Sequence, residues 1–215
     1  MAKSDMPIPL DFFISALVTL LVVVDPVAMA PTYVALTHGL PSEARRSVAI
    51  RAPIIAAAIL IGAALAGHPL LTALGISLPA FRIAGGLLLF SIASEMVFGL
   101  RVQRQSKDAE QAVEEHVRNV ATFPLAFPLL AGPGAITATV LLAGQTTGQP
   151  LRLVGLLVVI VLVALACFCA FLVATRISRF LGVTGNIVLE RLLGVILAAL
   201  AVQYVIDGVT AVFTG

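Results

Sequence analysis

Tryptophan is absent from the chain, tyrosine and cysteine each occur only twice, and just 11% of its 215 residues are charged. A soluble domain carries about 25% charged residues, so this scarcity excludes water as the main solvent. The formal net charge of +2 is too small and too scattered to suit a nucleic-acid partner. Cys167 and Cys169 lie two apart in one apolar run. Neighbours at that spacing point to different sides of a helix, which argues against a disulfide or a metal clip and leaves them as packing residues. No H-E-x-x-H, no G-x-S-x-G and no P-loop occurs, and His38, His68 and His116 sit at span ends or in loops. Zinc hydrolysis, serine hydrolysis and direct use of ATP are thereby set aside. The length leaves no room for a soluble catalytic module beside a membrane domain. The chain reads as a non-enzyme with no cofactor and no metal.

What is present is apolar. Hydrophobic residues make up 60% of the chain, with a mean hydropathy of +1.10. A span needs about 20 apolar residues, and six stretches qualify: 11–37, 48–67, 79–100, 120–144, 151–175 and 187–212. The expected fold is all-α, a single transmembrane domain of six helices. His68-Pro69 to Pro79 is short and uncharged and is expected to lie at the interface between the second and third spans. Residues 101–119 form the one long polar stretch and read as a solvated linker. The run from Phe12 to Ala30 resembles a signal peptide, but Asp25-Pro26 interrupts it and Pro31 would follow the cut, so it reads as uncleaved.

Basic residues give an orientation. Arg45, Arg46, Arg51, Arg101, Arg104, Lys107, Arg118, Arg176 and Arg179 flank the loops after spans one, three and five, whereas Lys3 and Arg152 lie opposite, with Arg82 and Arg191 set aside because they sit inside spans. By the positive-inside rule those loops face the cytoplasm and both termini face outward.

Two spans break at proline in matching places. The first break reads Val24-Asp25-Pro26-Val27-Ala28-Met29-Ala30-Pro31, the second Leu130-Ala131-Gly132-Pro133-Gly134-Ala135. Proline within a helix costs roughly 3 kcal/mol, and a membrane helix tolerates it where protein groups or a wet cavity satisfy the freed carbonyls. Asp25 lies about 13 residues into its span and Gly132 about 12, near 18–20 Å from opposite faces by helix rise, which puts both breaks around the bilayer centre. Asp25 reads as an N-cap with Pro26 at the first helical position, and Gly132 with Pro133 likewise. The two half-helices would then aim their positive ends at the midplane, a setting for a carboxylate. Phe81 to Leu88 also aligns with Glu190 to Leu197, sharing an R-x-x-G step at Arg82–Gly85 and Arg191–Gly194. Spans one to three (about 11–100) and four to six (about 120–215) are thus expected to form two repeats. Three is odd, so the second enters the membrane inverted.

The strings GISLPAFRIAGG, FPLAFPLLAGPGAI and RLLGVILAALAVQYVIDGV, with the Asp-Pro break, resemble the MarC family of bacterial inner-membrane proteins. The resemblance implies a relation to LysE-type and neutral amino-acid transporters, and placement in the bacterial inner membrane. It also implies a glycine near Ala28, where this chain departs from the pattern.

Several side chains are candidates for work. Asp25 is a carboxylate near a span centre, by default functional in the membrane. With Pro26, Thr32, Gly132, Pro133, Gly134 and Thr137 it is expected to form the substrate site, and Thr139 lies nearby. Arg82 and Arg191, about one turn inside opposite ends, are expected to tie helices together. Glu95 and Gln203 are expected in structural or gating roles, Gln203 forming an exit with Asp207. Gly85, Gly86 and Gly194 permit close packing. The leading expectation is a secondary transporter of a small zwitterion, a neutral amino acid, working by alternating access, with a coupling proton or cation and self-association both open to it. A membrane scaffold or stress-related regulator without solute flux is the alternative.

Overall fold

The structure is a computed structural model and describes residues 10–101 and 119–214. Among the described residues there is no strand. The elements are α1 (Leu10–Val24), α2 (Met29–Leu36), α3 (Ser42–Ala73), α4 (Leu78–Phe98), α5 (Ala121–Leu130), α6 (Pro133–Gly144), α7 (Pro150–Leu172) and α8 (Ala174–Thr214). α5 is loosely wound, with extended backbone at Phe123 and Phe127. α8 breaks at Gly182, whose φ of 59 suits a residue without a side chain. Residues 102–118, most of the expected polar linker, lie outside the described residues.

α3, α4, α7 and Thr184–Phe213 of α8 are each long and apolar enough to cross a membrane. The pairs α1–α2 and α5–α6 are bent by 43° and 58°. A re-entrant hairpin would reverse direction, and these bends do not, so each pair continues forward as one broken span. The fold is therefore an all-α membrane bundle of six spans with the first and fourth broken. In the four unbroken spans only 28–33% of the most apolar window is buried, so much of the apolar surface faces outward, as lipid requires.

Small residues decide how the helices meet. On α3 the buried stripe is Ala49, Ala52, Ala56, Leu60, Ala64 and Gly67, at steps of three and four. α4 and α8 run antiparallel in close contact. A Cβ on Gly86 would come 2.7 Å from the Ala201 carbonyl, one on Gly194 2.8 Å from Met96 Cβ, and one on Gly208 2.9 Å from the Pro79 carbonyl. Gly85 instead faces α6, at Thr137 and Leu141. The pairings are exchange-symmetric: α1 packs on α7 as α5 packs on α3, and α2 packs on α8 as α6 packs on α4. α3 with α7 and α4 with α8 pair across the two halves. A two-fold relation between the halves produces this scheme.

Some boundaries differ from expectation. α3 does not end at Gly67 but runs through His68 and Pro69 to Ala73. One missing amide at Pro69 costs less than opening a helix end, with its four unpaired carbonyls, among apolar residues. α3 also starts six residues earlier than expected, and the segment after span five is helical up to Gly182 rather than loop. Cys167 is buried, whereas Cys169 is exposed, so only the first packs inside the bundle; neither forms a disulfide.

Candidate functional site

The two breaks use the same device but end in different states. At the first, Asp25 takes a left-handed backbone (φ 51), which a short polar side chain tolerates. Its amide donates to the Leu21 carbonyl at 2.9 Å, and its carbonyl accepts from Met29 N at 3.1 Å. Its carboxylate Oδ1 accepts from Ala28 N at 3.1 Å. Asp25 thus closes α1 and caps the turn at residues 26–28; α2 itself starts at Met29 with Ala28 as its N-cap, three residues later than the expected start at Pro26. It is only 1% exposed, and Pro26 beside it is buried. The positive end of this half-helix already holds a carboxylate, its own.

At the second break Gly132 has no side chain with which to cap. Its carbonyl accepts from Ile136 N at 3.0 Å, and Ala131 N donates back to Ala126 O at 2.8 Å. The amides of Gly134 and Ala135 donate to no carbonyl among the described residues, and the carbonyls of Pro128 and Leu129 accept from no backbone amide there. A Cβ on Gly132 would run into the Pro128 carbonyl, so glycine is required for the chain to fold this tightly. Pro133, lacking an N–H, costs nothing at the first helical position.

This bare end opens on a cavity of about 280 Å³, lined by Gly132, Pro133, Gly134, Ala135, Ile92 and Arg101 among others. Arg101 is 5% exposed. Its Nη2 donates to the Val23 carbonyl at 2.9 Å, and Nη1 contacts Met96 Sδ at 3.1 Å. The guanidinium is therefore tied to the last turn of α1 and brings a fixed positive charge to the cavity beside the mouth of α6. Free amides and a guanidinium favour an anion there, while unpaired carbonyls across the same break favour a cation.

Of the expected substrate residues, Gly132, Pro133 and Gly134 line this cavity, and Asp25, Pro26, Thr32 and Thr137 do not. Thr137 packs on Gly85, and Thr139 Oγ1 donates to its own helix at Ala135 O, 2.7 Å. Arg82 lies at the α4–α8 seam with its Cβ beside Gly208. Arg191 lies at the opposite end of that seam, with Nη2 about 4.0 Å from where a Gly99 Cβ would stand. Glu95 is half-buried near the end of α4. Gln203 Nε2 donates to Asp207 Oδ1 at 2.7 Å on an exposed face, outside the cavity lining. Among the described residues no group of three His, Cys, Asp or Glu could hold a metal.

Sequence reasoning missed two residues. Arg101 was counted only among the loop arginines. The available signal was Gly99, a left-handed helix cap (φ 74) that turns the chain back toward the bundle just before it. Glu190 was read only as an alignment partner of Phe81, yet it is buried at 1% exposure. Its place one turn before Gly194, on the same face of α8, was the signal there.

Comparison with known proteins agrees with this architecture. Residues 10–213 match the family model described as MarC family integral membrane protein. The UPF0056 membrane protein YhcE of Escherichia coli is 36% identical over 98% of this chain and 96% of its own length. A UPF0056 membrane protein of Aquifex aeolicus is 36% identical, covering 91% of each chain. Another from Archaeoglobus fulgidus is 34% identical over 93% of this chain and 92% of its own. No solved structure matches. With a family match over nearly its whole length and relatives aligned end to end, the chain belongs to the MarC family of integral membrane proteins.

Proposed function

We propose that this protein is a secondary transporter of small zwitterionic solutes, neutral amino acids in particular. The solute carboxylate is held by the Gly134 and Ala135 amides and by Arg101, and its ammonium by the carbonyls of Pro128 and Leu129. The observation that carries this reading is the uncapped start of α6 facing Arg101 across a cavity of about 280 Å³. Ligand pockets usually measure about 300–1,000 Å³, so this one suits a small solute rather than a drug-sized one. Broken helices whose amide ends face an anionic group and whose unwound carbonyls face a cationic one are the recurring solution for such sites in membranes. The two exchange-related halves supply the rocking units for alternating access. The family relation supports placement in the plasma membrane (the inner membrane of a double-membraned bacterium), and the bias of basic residues supports both termini outside.

The test is reconstitution of the purified protein into liposomes loaded with unlabelled glycine, alanine or serine, followed by entry of the labelled solute. Counterflow whose half-saturation R101Q shifts to much higher solute concentration is the expected result. Absence of counterflow across a panel of neutral amino acids would overturn the reading, and capture of a protein partner by a flux-less chain would favour the scaffold alternative.

A further inference from the structure

α8 turns one stripe into the bundle, Glu190, Gly194, Leu197, Ala201 and Tyr204, at steps of three and four. Glu190 is its one acid. Among the described residues neither of its carboxyl oxygens meets a hydrogen-bond donor, and the cavity site described above does not use it. The register on α4 locates it. Gly194 faces Met96, and Arg191 reaches Gly99, so Glu190 lies beside the turn that carries Arg101. The charged groups whose fields reach it are Arg101, beyond α4, and Asp25, beyond α1. From α2, Tyr33 donates instead to the Arg45 carbonyl and stacks on Phe171 of α7. From α7, Cys167 faces Asp25. On α8 itself, Asn186, one turn before Glu190, is also buried, and its Oδ1 has no donor. Asp25 repeats the pattern: Oδ1 caps Ala28, while Oδ2 is buried and without a partner.

Two buried carboxyl groups therefore lie in the field of one guanidinium. With both ionised, the cluster holds an uncompensated negative charge in an apolar interior, which is strongly unfavourable. One added positive charge balances it. A hard metal cation wants six or more oxygen ligands, and among the described residues no triplet of ligating side chains is placed to offer them. A proton needs no such ligand set.

Building on the transport reading above, we propose that Glu190 is the proton-carrying group of a solute–proton symporter, with Asp25 and Arg101 as the charges that couple it to the solute. A carboxylate bound at Arg101 draws on the positive charge that the two acids share, so Glu190 holds its proton while solute is bound. Departure of the solute leaves the Arg101 charge wholly to the two acids, which lowers the cost of ionising Glu190, and Glu190 gives up its proton. The proton is taken from hydronium on one side and given to water on the other, so only O–H bonds are made and broken. Asn186 is the next polar group along the stripe toward the break at Gly182, and marks the path by which one end of the bundle reaches Glu190.

The test uses the full chain in liposomes and compares two assays for labelled glycine: counterflow at equal pH, and accumulation driven by an imposed pH gradient. The parent is expected to show both. Glu190→Gln, isosteric with the protonated acid, is expected to keep exchanging solute but to lose gradient-driven accumulation. Infrared spectroscopy of the parent in detergent with saturating glycine should also show a protonated carboxyl band that E190Q lacks. Accumulation by E190Q at the parental level would overturn the assignment while leaving the transport reading intact. If the parent shows no flux at all, the transport reading fails, and with it the coupling role. Absence of the infrared band at neutral pH with glycine bound would overturn the proton on Glu190 whatever the flux assays show.

Discussion

Arg101 and Asp25 divide the labour at the residue scale, and their variants separate folding from function. Losing a hydrogen bond to a charged group costs about 1.5–3 kcal/mol, so R101Q is expected to weaken solute affinity about 10- to 100-fold, read from the concentration dependence of counterflow. R101K keeps the charge without the planar fork and should fall between parent and R101Q. For Asp25, asparagine retains both the cap oxygen and the tolerance of positive φ, whereas alanine loses both. D25A should therefore lower stability by about 0.5–2 kcal/mol in thermal melts, while D25N melts near the parent. Both should lose transport, because each leaves Glu190 as the sole counter-charge of Arg101, held ionised and unable to carry a proton. Transport by D25N at the parental rate would reduce Asp25 to a cap. Asp25 was legible in the sequence because a carboxylate deep in an apolar run stands out. Arg101 was not, because an arginine at the end of a span has the same local surroundings whether it snorkels to water or folds back inside.

The elements themselves are held by glycines whose absent side chains let backbones touch. Gly86→Leu and Gly194→Leu would drive a side chain into Ala201 and Met96 respectively. Overpacking of this kind costs about 1–3 kcal/mol, measurable as a lower melting temperature in detergent. Gly62→Leu, which points into open space, should melt like the parent. Gly134 is a different case. A Cβ there meets the end of the Ile92 side chain, which can move, so Gly134→Val is expected to stay monodisperse yet lose solute binding as its methyls fill the cavity. The proline breaks and the glycine seam were readable because both residue types act through the backbone. The extension of α3 through Pro69 was not. Proline argues locally for an end, and only the apolar setting of Leu70 to Ala73, with Leu71 buried, shows why the helix continues.

At the scale of the whole molecule, the arrangement of the spans predicts sidedness. In a cysteine-free background, a cysteine replacing His38 should be labelled only from the cytoplasmic side, and one replacing Ile76 or Gln149 only from outside. The opposite pattern would invert the molecule without changing its span count. The six-span count and the pairing of halves could be read in advance, because hydropathy and the offset between the breaks each report directly on topology. That the halves would differ in state could not. It depends on a single contact, the Asp25 carboxylate on the Ala28 amide, which the glycine of the second break has no means to copy.

A carrier made of two like halves would be expected to offer two sockets for a carboxylate. Here one socket is filled by a side chain of the chain itself, so the proposed carrier is expected to be monovalent. Equilibrium titration should saturate at one solute per chain, with Asp25 serving as the resident image of the ligand that comes and goes at α6.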